Sequence, residues 1–239
     1  STGRPGQHQE PLSSRYVMSP TNAMRTARNG GRFLRRVIRK DVSNFIAYGF
    51  DAPRVYERIW VQPSTCKSVT TEFQWDHFGA VVGGDWDTRS VPLHHEPKFH
   101  AAVVHWRDGV SWDSTGIYEY MLDQIAESGT TDGCDSIDDV VRRYRCLDEI
   151  FDRVRRQGRL KTQAELSGLH FRQAGGVFFH IDRDSNPVFG AWGCHRLAIA
   201  VVTDLPVIPA QIGVVHHDSR DAWRDRYSRQ EAQNNSGIE

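Results

Sequence analysis

VFFHIDRDSNPVFGAWGCHRLAIA, residues 177–200, reads as strand, turn, short strand, glycine loop and helix. A thiol, an imidazole and a guanidinium, those of Cys194, His195 and Arg196, arrive together at the helix start. The first turn of a helix leaves backbone N–H groups without partners and carries the positive end of the helix dipole, so an anion such as phosphate is stabilised there. Arg196, and His195 if protonated, would add charge-assisted hydrogen bonds. Gly193 has no side chain to keep a ligand from the backbone. The competing reading makes Gly193 a turn residue, His195 a satisfied surface histidine and Arg196 the partner of a nearby Asp.

Downstream, residues 197–202 read as an apolar helix, and residues 205–216, with Pro206 and Pro209 near its start, as a buried strand. Upstream, residues 55–63 read as an opening strand that ends at Pro63. Between Ile137 and Gln157, apolar residues at Val140, Val141, Tyr144, Leu147, Ile150, Phe151 and Val154 have helical spacing, with Gly158 as the C-cap.

This arrangement resembles the ParB/sulfiredoxin superfamily, best over residues 176–216. The resemblance implies an α+β fold, a small mixed sheet with packed helices, elaborated here by a large insertion at about residues 64–136. It also implies a nucleotide-phosphate site at the Gly-Cys-His-Arg loop, Gly193 to Arg196. Sulfiredoxin carries Phe-Gly-Gly-Cys-His-Arg, and here Trp192 replaces the first glycine. By that resemblance Cys194 would be a nucleophile, its thiolate favoured by the helix N-terminus and Arg196. Other branches bind nucleotide without a cysteine, to phosphorylate a small molecule such as free serine or to clamp DNA. Lys161, one of only four lysines, follows the helix that ends at Gly158, where family members send a side chain toward the phosphates. A solvated surface lysine is its plainer reading.

The formal net charge is +0, with 30 basic and 30 acidic residues, but the distribution is uneven. From Pro11 to Lys40 there is no acidic residue, whereas Arg15, Arg25, Arg28, Arg32, Arg35, Arg36, Arg39 and Lys40 are basic. Such a stretch binds nucleic acid or an anionic membrane surface, or docks through Phe33, Leu34, Val37 and Ile38 as an ordinary amphipathic helix. Residues 1–31 are expected to be a flexible basic tail, 32–227 a single domain and 228–239 a flexible tail. No apolar run reaches bilayer length and no secretory signal is evident, so a cytoplasmic protein is expected. Cys66, Cys134, Cys146 and Cys194 lack zinc-site spacing, and no metal site is assigned.

Within the insertion, Asp85 and Asp87 flank Trp86 after a glycine turn, and would face one way if the segment is extended. They would hold Mg²⁺ through water or act as a base toward an acceptor hydroxyl, unless they merely cap the turn. His94, His95, His100 and His105 do not match a helical metal motif, and His105, Trp106 and Trp112 read as pocket or core residues. Asp113 or Ser114 is expected to cap a helix with Ile117, Met121, Leu122 and Ile125 on its apolar face.

The leading expectation is a phosphotransferase using ATP or another nucleotide, with Mg²⁺ as an optional cofactor, on a small-molecule acceptor. Gly193, His195, Arg196 and Lys161 would bind phosphate, and Asp85 or Asp87 would activate the acceptor. A sulfiredoxin-like reductase using Cys194 is second, and a non-catalytic nucleotide-dependent regulator third. Nucleic acid is a less favoured partner, because ParB proteins carry a helix-turn-helix module after this core and only a short polar stretch follows it here.

Overall fold

A computed structural model describes residues 20–166 and 171–227. The fold is α+β, with a seven-stranded mixed open sheet among the described residues. The readings of residues 1–19 and 228–239 as tails lie outside the described residues. Helix α1, Pro20–Tyr48, begins within the stretch expected to be a tail. The chain divides into two compact units, Ser1–Arg39 and Lys40–Glu239, and the sheet belongs to the second. Among the described residues no helix is long and apolar enough to cross a membrane.

Strand β7, Ile208–His216, is buried at every position. Its apolar run is long because both faces of the strand are covered. Strand β1, Arg58–Val61, pairs antiparallel with its first half, and β5, Val177–Ile181, pairs parallel along its other edge. A tight turn joins β5 to β6, Pro187–Phe189. In it Asp182 Oδ1 accepts from the backbone N–H groups of Asp184 at 2.9 Å and Asn186 at 2.7 Å, the local bonding that favours Asp in turns. Helix α6, Cys194–Val202, then carries the chain across to β7. Its Leu197, Ala198, Ile199 and Ala200 enter the same core as the buried face of β5.

Residues 64–136, expected as an insertion, are woven into this sheet. Strand β2, Ser68–Val69, lies parallel to β6, and β4, Val91–Pro92, closes that edge antiparallel to β2. Strand β3, Val81–Val82, pairs with the end of β7. The same stretch supplies α2, Pro97–Asp108, and α3, Ile117–Ser128. Helix α3 is capped by Gly116 in the left-handed region, φ 75, and not by Asp113 or Ser114, which lie in the 3-10 turn before it. Helix α4, Ile137–Gln157, ends at Gly158, φ 65, whose N–H bonds to Val154 O, and the one-turn helix α5, Gln163–Leu166, follows. It buries Val140, Tyr144, Leu147, Phe151 and Val154, while Ile150 stays exposed.

The opposite face of β5 packs Phe178 and His180 against backbone. A Cβ at Gly213 would lie 2.6 Å from both His180 Nδ1 and Phe178 Cζ, and both rings are buried. His180 Nδ1 also accepts from Val214 N at 2.9 Å, so its ring is not free to move. Gly213→Ala should therefore destabilise the protein by about 1–3 kcal/mol, the range for overpacking a close-packed interior. A urea titration checks this, and an unchanged midpoint would contradict it.

Candidate functional site

The loop between β6 and α6 is held against β5. Phe178 N donates to Trp192 O at 3.1 Å, and Gly190 N donates to Phe178 O at 2.9 Å. Gly193, φ 88, is the N-cap of α6 and provides no capping side chain, so the first-turn N–H groups are left to other acceptors. A Cβ at Gly193 would lie 3.0 Å from Val177 Cα. Glycine is thus required for close approach to strand β5, whereas the sequence reading assigned that room to a ligand.

The start of α6 opens onto a cavity of about 590 Å³. Its cations are Lys98 from α2, Arg143 and Arg153 from α4, Arg159 and Lys161 from the loop beyond α4, and Arg196 from α6. Against these the lining holds one carboxylate, Asp132. That group is already engaged, 2.7 Å from Lys98 Nζ and 3.6 Å from Arg143 Nη2, and its pKa is lowered by these cations despite burial. Arg159 pairs with Glu165 at 2.6 Å. Among the described residues Arg153, Lys161 and Arg196 make no ion pair with a carboxylate. Leu147, Val154, Leu160 and Ile199 give the cavity an apolar wall, and half-exposed Trp192 adds an aromatic face.

Arg196 donates through Nη2 to Gly175 O at 2.6 Å. Burial lowers its pKa, but a guanidinium remains charged in a protein. The bond to a carbonyl orients the side chain without neutralising it, so the expected pairing with an Asp is not what holds it. Lys161 is exposed and lines the same cavity.

Two expectations for this loop are corrected. His195 is buried, with its Nε2 3.3 Å from the Tyr144 hydroxyl, and burial pulls its pKa down to about 4. At neutral pH it contributes no positive charge. Cys194 is also buried, and its thiol donates to Ala191 O at 3.2 Å. Burial first, and then the neighbouring Glu96 carboxylate, push its pKa above the ordinary thiol value. A buried thiol beside an anion is disfavoured as a thiolate, in contrast to the lowered pKa expected from the helix N-terminus.

Asp85 and Asp87 sit elsewhere. Residues 84–89 form bends and turns rather than an extended segment, and neither Asp lines the cavity. The Arg183 guanidinium grips Asp87 through Nε and Nη2 at 2.8 and 2.7 Å and reaches Asp85 Oδ1 at 2.9 Å. The fork from Arg183 holds Asp87 down at about 2. A carboxylate this well paired is a weak base, and the pair ties the β3–β4 connection to the β5–β6 turn.

Sequence reasoning noted Glu96 only as an acid among the histidines and gave it no catalytic role. It caps α2, accepting from Phe99 N at 2.5 Å, and lines a second cavity of about 510 Å³ with Thr70, Thr71, His95 and Tyr120. Burial raises its pKa. The two cavities share Lys98, Ala191 and Cys194 as a common wall. The missed cations on α4 were detectable: Arg143 is four residues before Leu147 and Arg153 three after Ile150, so helical spacing puts both beside the apolar stripe. His105, Trp106 and Trp112 gather on Asp148, with His105 stacked on Trp112 at 3.9 Å, and Trp112 is in the core. No protein-family model, curated protein or solved structure matches this chain.

Proposed function

We propose that the chain has a ParB/sulfiredoxin-like core and is a nucleotide-dependent phosphotransferase acting on a small-molecule hydroxyl acceptor. The observation that carries this reading is the charge of the larger cavity, where cations surround one already paired carboxylate at an uncapped helix N-terminus. Its volume is in the range of small-molecule sites. Arg196, Lys161 and Arg153 would hold the phosphates of ATP or a related nucleotide, and the apolar wall and Trp192 would face the base.

The acceptor would occupy the second cavity. Its hydroxyl proton passes to the Glu96 carboxylate, the acceptor oxygen forms a bond to the terminal phosphorus, and the bond from that phosphorus to the nucleoside diphosphate breaks. Lys98, on the shared wall, would neutralise charge on the transferring group. Asp132 is bridged by Lys98 and Arg143, so Mg²⁺ would be held by phosphate oxygens and water rather than by this carboxylate. Asp85 and Asp87 have no part in this scheme. The reductase reading needs a reactive thiolate at Cys194, and burial opposes one.

The experiment is calorimetric titration of the full chain with ATP, ADP and adenosine. ATP and ADP should bind much more tightly than adenosine. Equal affinities for all three would contradict phosphate recognition at this loop.

A further inference from the structure

We propose that helix α1 is a membrane-surface element that lies on anionic phospholipid bilayers. Leu34, Ile38, Val42, Phe45 and Ile46 are 44, 52, 50, 48 and 78% exposed. They recur at spacings of four, four, three and one, which places them on one broad stripe of the helix. Phe50, just past the helix end, is 88% exposed. Isolated exposed apolar residues need no explanation, but a continuous stripe of this length does.

The charge beside the stripe identifies the occupant. Arg35 and Arg39 are exposed and lie about 100° around the helix axis from Leu34 and Ile38, along the edge of the stripe where Ile46 lies. In the sequence, Arg25, Arg28, Arg32 and Arg36 share this helix, and residues 11–40 carry no carboxylate. Nucleic acid would satisfy the arginines but leave Phe45 and Ile46 in water. A second copy of the helix would cover the stripe, but would bring two arginine-rich segments together, and the one carboxylate of the helix, Asp41, is already paired with Arg172 at 2.7 Å. An anionic bilayer surface satisfies both at once: the apolar side chains enter the boundary between headgroups and acyl chains, and the guanidinium groups meet lipid phosphates and carboxylates. This mode does not require a spanning segment, in keeping with the absence of one among the described residues.

Co-sedimentation of the full chain with phosphatidylcholine vesicles containing about a third phosphatidylserine tests this. The protein should sediment with these vesicles and not with phosphatidylcholine alone, and added salt should release it. The double substitution Ile38→Asp/Ile46→Asp, and separately Arg35→Gln/Arg39→Gln, should each weaken binding by roughly tenfold or more. All four positions are exposed, and unchanged thermal melts would show that the variants remain folded. Failure to bind the anionic vesicles would overturn the proposal, as would binding that survives both double substitutions. A stripe that instead mediates dimerisation, or a segment that shifts duplex DNA without binding vesicles, would also overturn it. None of these outcomes depends on nucleotide binding.

Discussion

Glu96→Gln is expected to bind ATP as tightly as the wild-type protein and to transfer its terminal phosphate at least about a hundredfold more slowly, the lower range for loss of a general base. The amide keeps the shape of the carboxylate and one acceptor oxygen, so the cap on Phe99 N and the start of α2 should survive. It cannot accept the acceptor's proton. Glu96 suits that task because burial has raised its pKa and because it borders the wall between the two cavities, whereas the paired Asp87 has been pushed down to about 2. Release of nucleoside diphosphate with water as acceptor gives a readout before the natural acceptor is known. In the same assay Cys194→Ser should retain turnover, because the thiol acts only as a small buried donor. A Glu96→Gln protein at full rate would remove Glu96 from the chemistry, while loss of rate in Cys194→Ser alone would favour the reductase reading.

Acidification from pH 6.5 to 4.5 should cost the protein much of its stability, because two imidazoles are buried uncharged. Burial holds His180 down at about 3 and His195 at about 4, against 6.5 in the unfolded chain. Below pH 6.5 the unfolded chain therefore takes up protons that the folded chain refuses. The stabilisation is complete above pH 6.5 and is lost as pH falls, by about 1.4 kcal/mol per pH unit for each group. Over two pH units this amounts to about 5 kcal/mol, similar to the net stability of many domains. Glu96 acts the other way, since its raised pKa lets the folded state bind a proton above 4.5, and one such group offsets only part of the loss. Asp87 matters only below 3.8, outside this window. Urea midpoints measured from pH 7 to 4.5 should fall steadily, and His195→Asn should show about half the slope. A flat profile would mean that the two histidines are solvated in the native state.

The elements legible in the sequence are those whose signals are local. The β5–β6 turn, the loop into α6, strand β7 and the Gly158 stop of α4 each follow from apolar runs, turn residues or a glycine at φ > 0. Strands β2, β3 and β4 each consist of two residues and owe their existence to partners far along the chain, so no periodicity announces them. The same distinction separates the site residues. Arg196 and Lys161 line one cavity, a proximity that only the family resemblance implied and that residue spacing did not show. His195 is silenced by burial beside Tyr144, Cys194 by burial and then by Glu96, and Asp87 by Arg183. Each of these contacts joins distant segments, and none leaves a trace in residue spacing.

Nucleotide phosphates are proposed to bind at the Gly193–Arg196 loop and the cations around it, and calorimetric titration of ATP into the wild-type protein and an Arg196→Ala/Lys161→Ala variant tests this. Each lost charge-assisted hydrogen bond contributes about 1.5–3 kcal/mol, so affinity should fall by more than about a hundredfold while the melting temperature of the free protein barely moves. ATP binding of the same strength in wild type and variant, or no binding to the wild-type protein, would contradict the account.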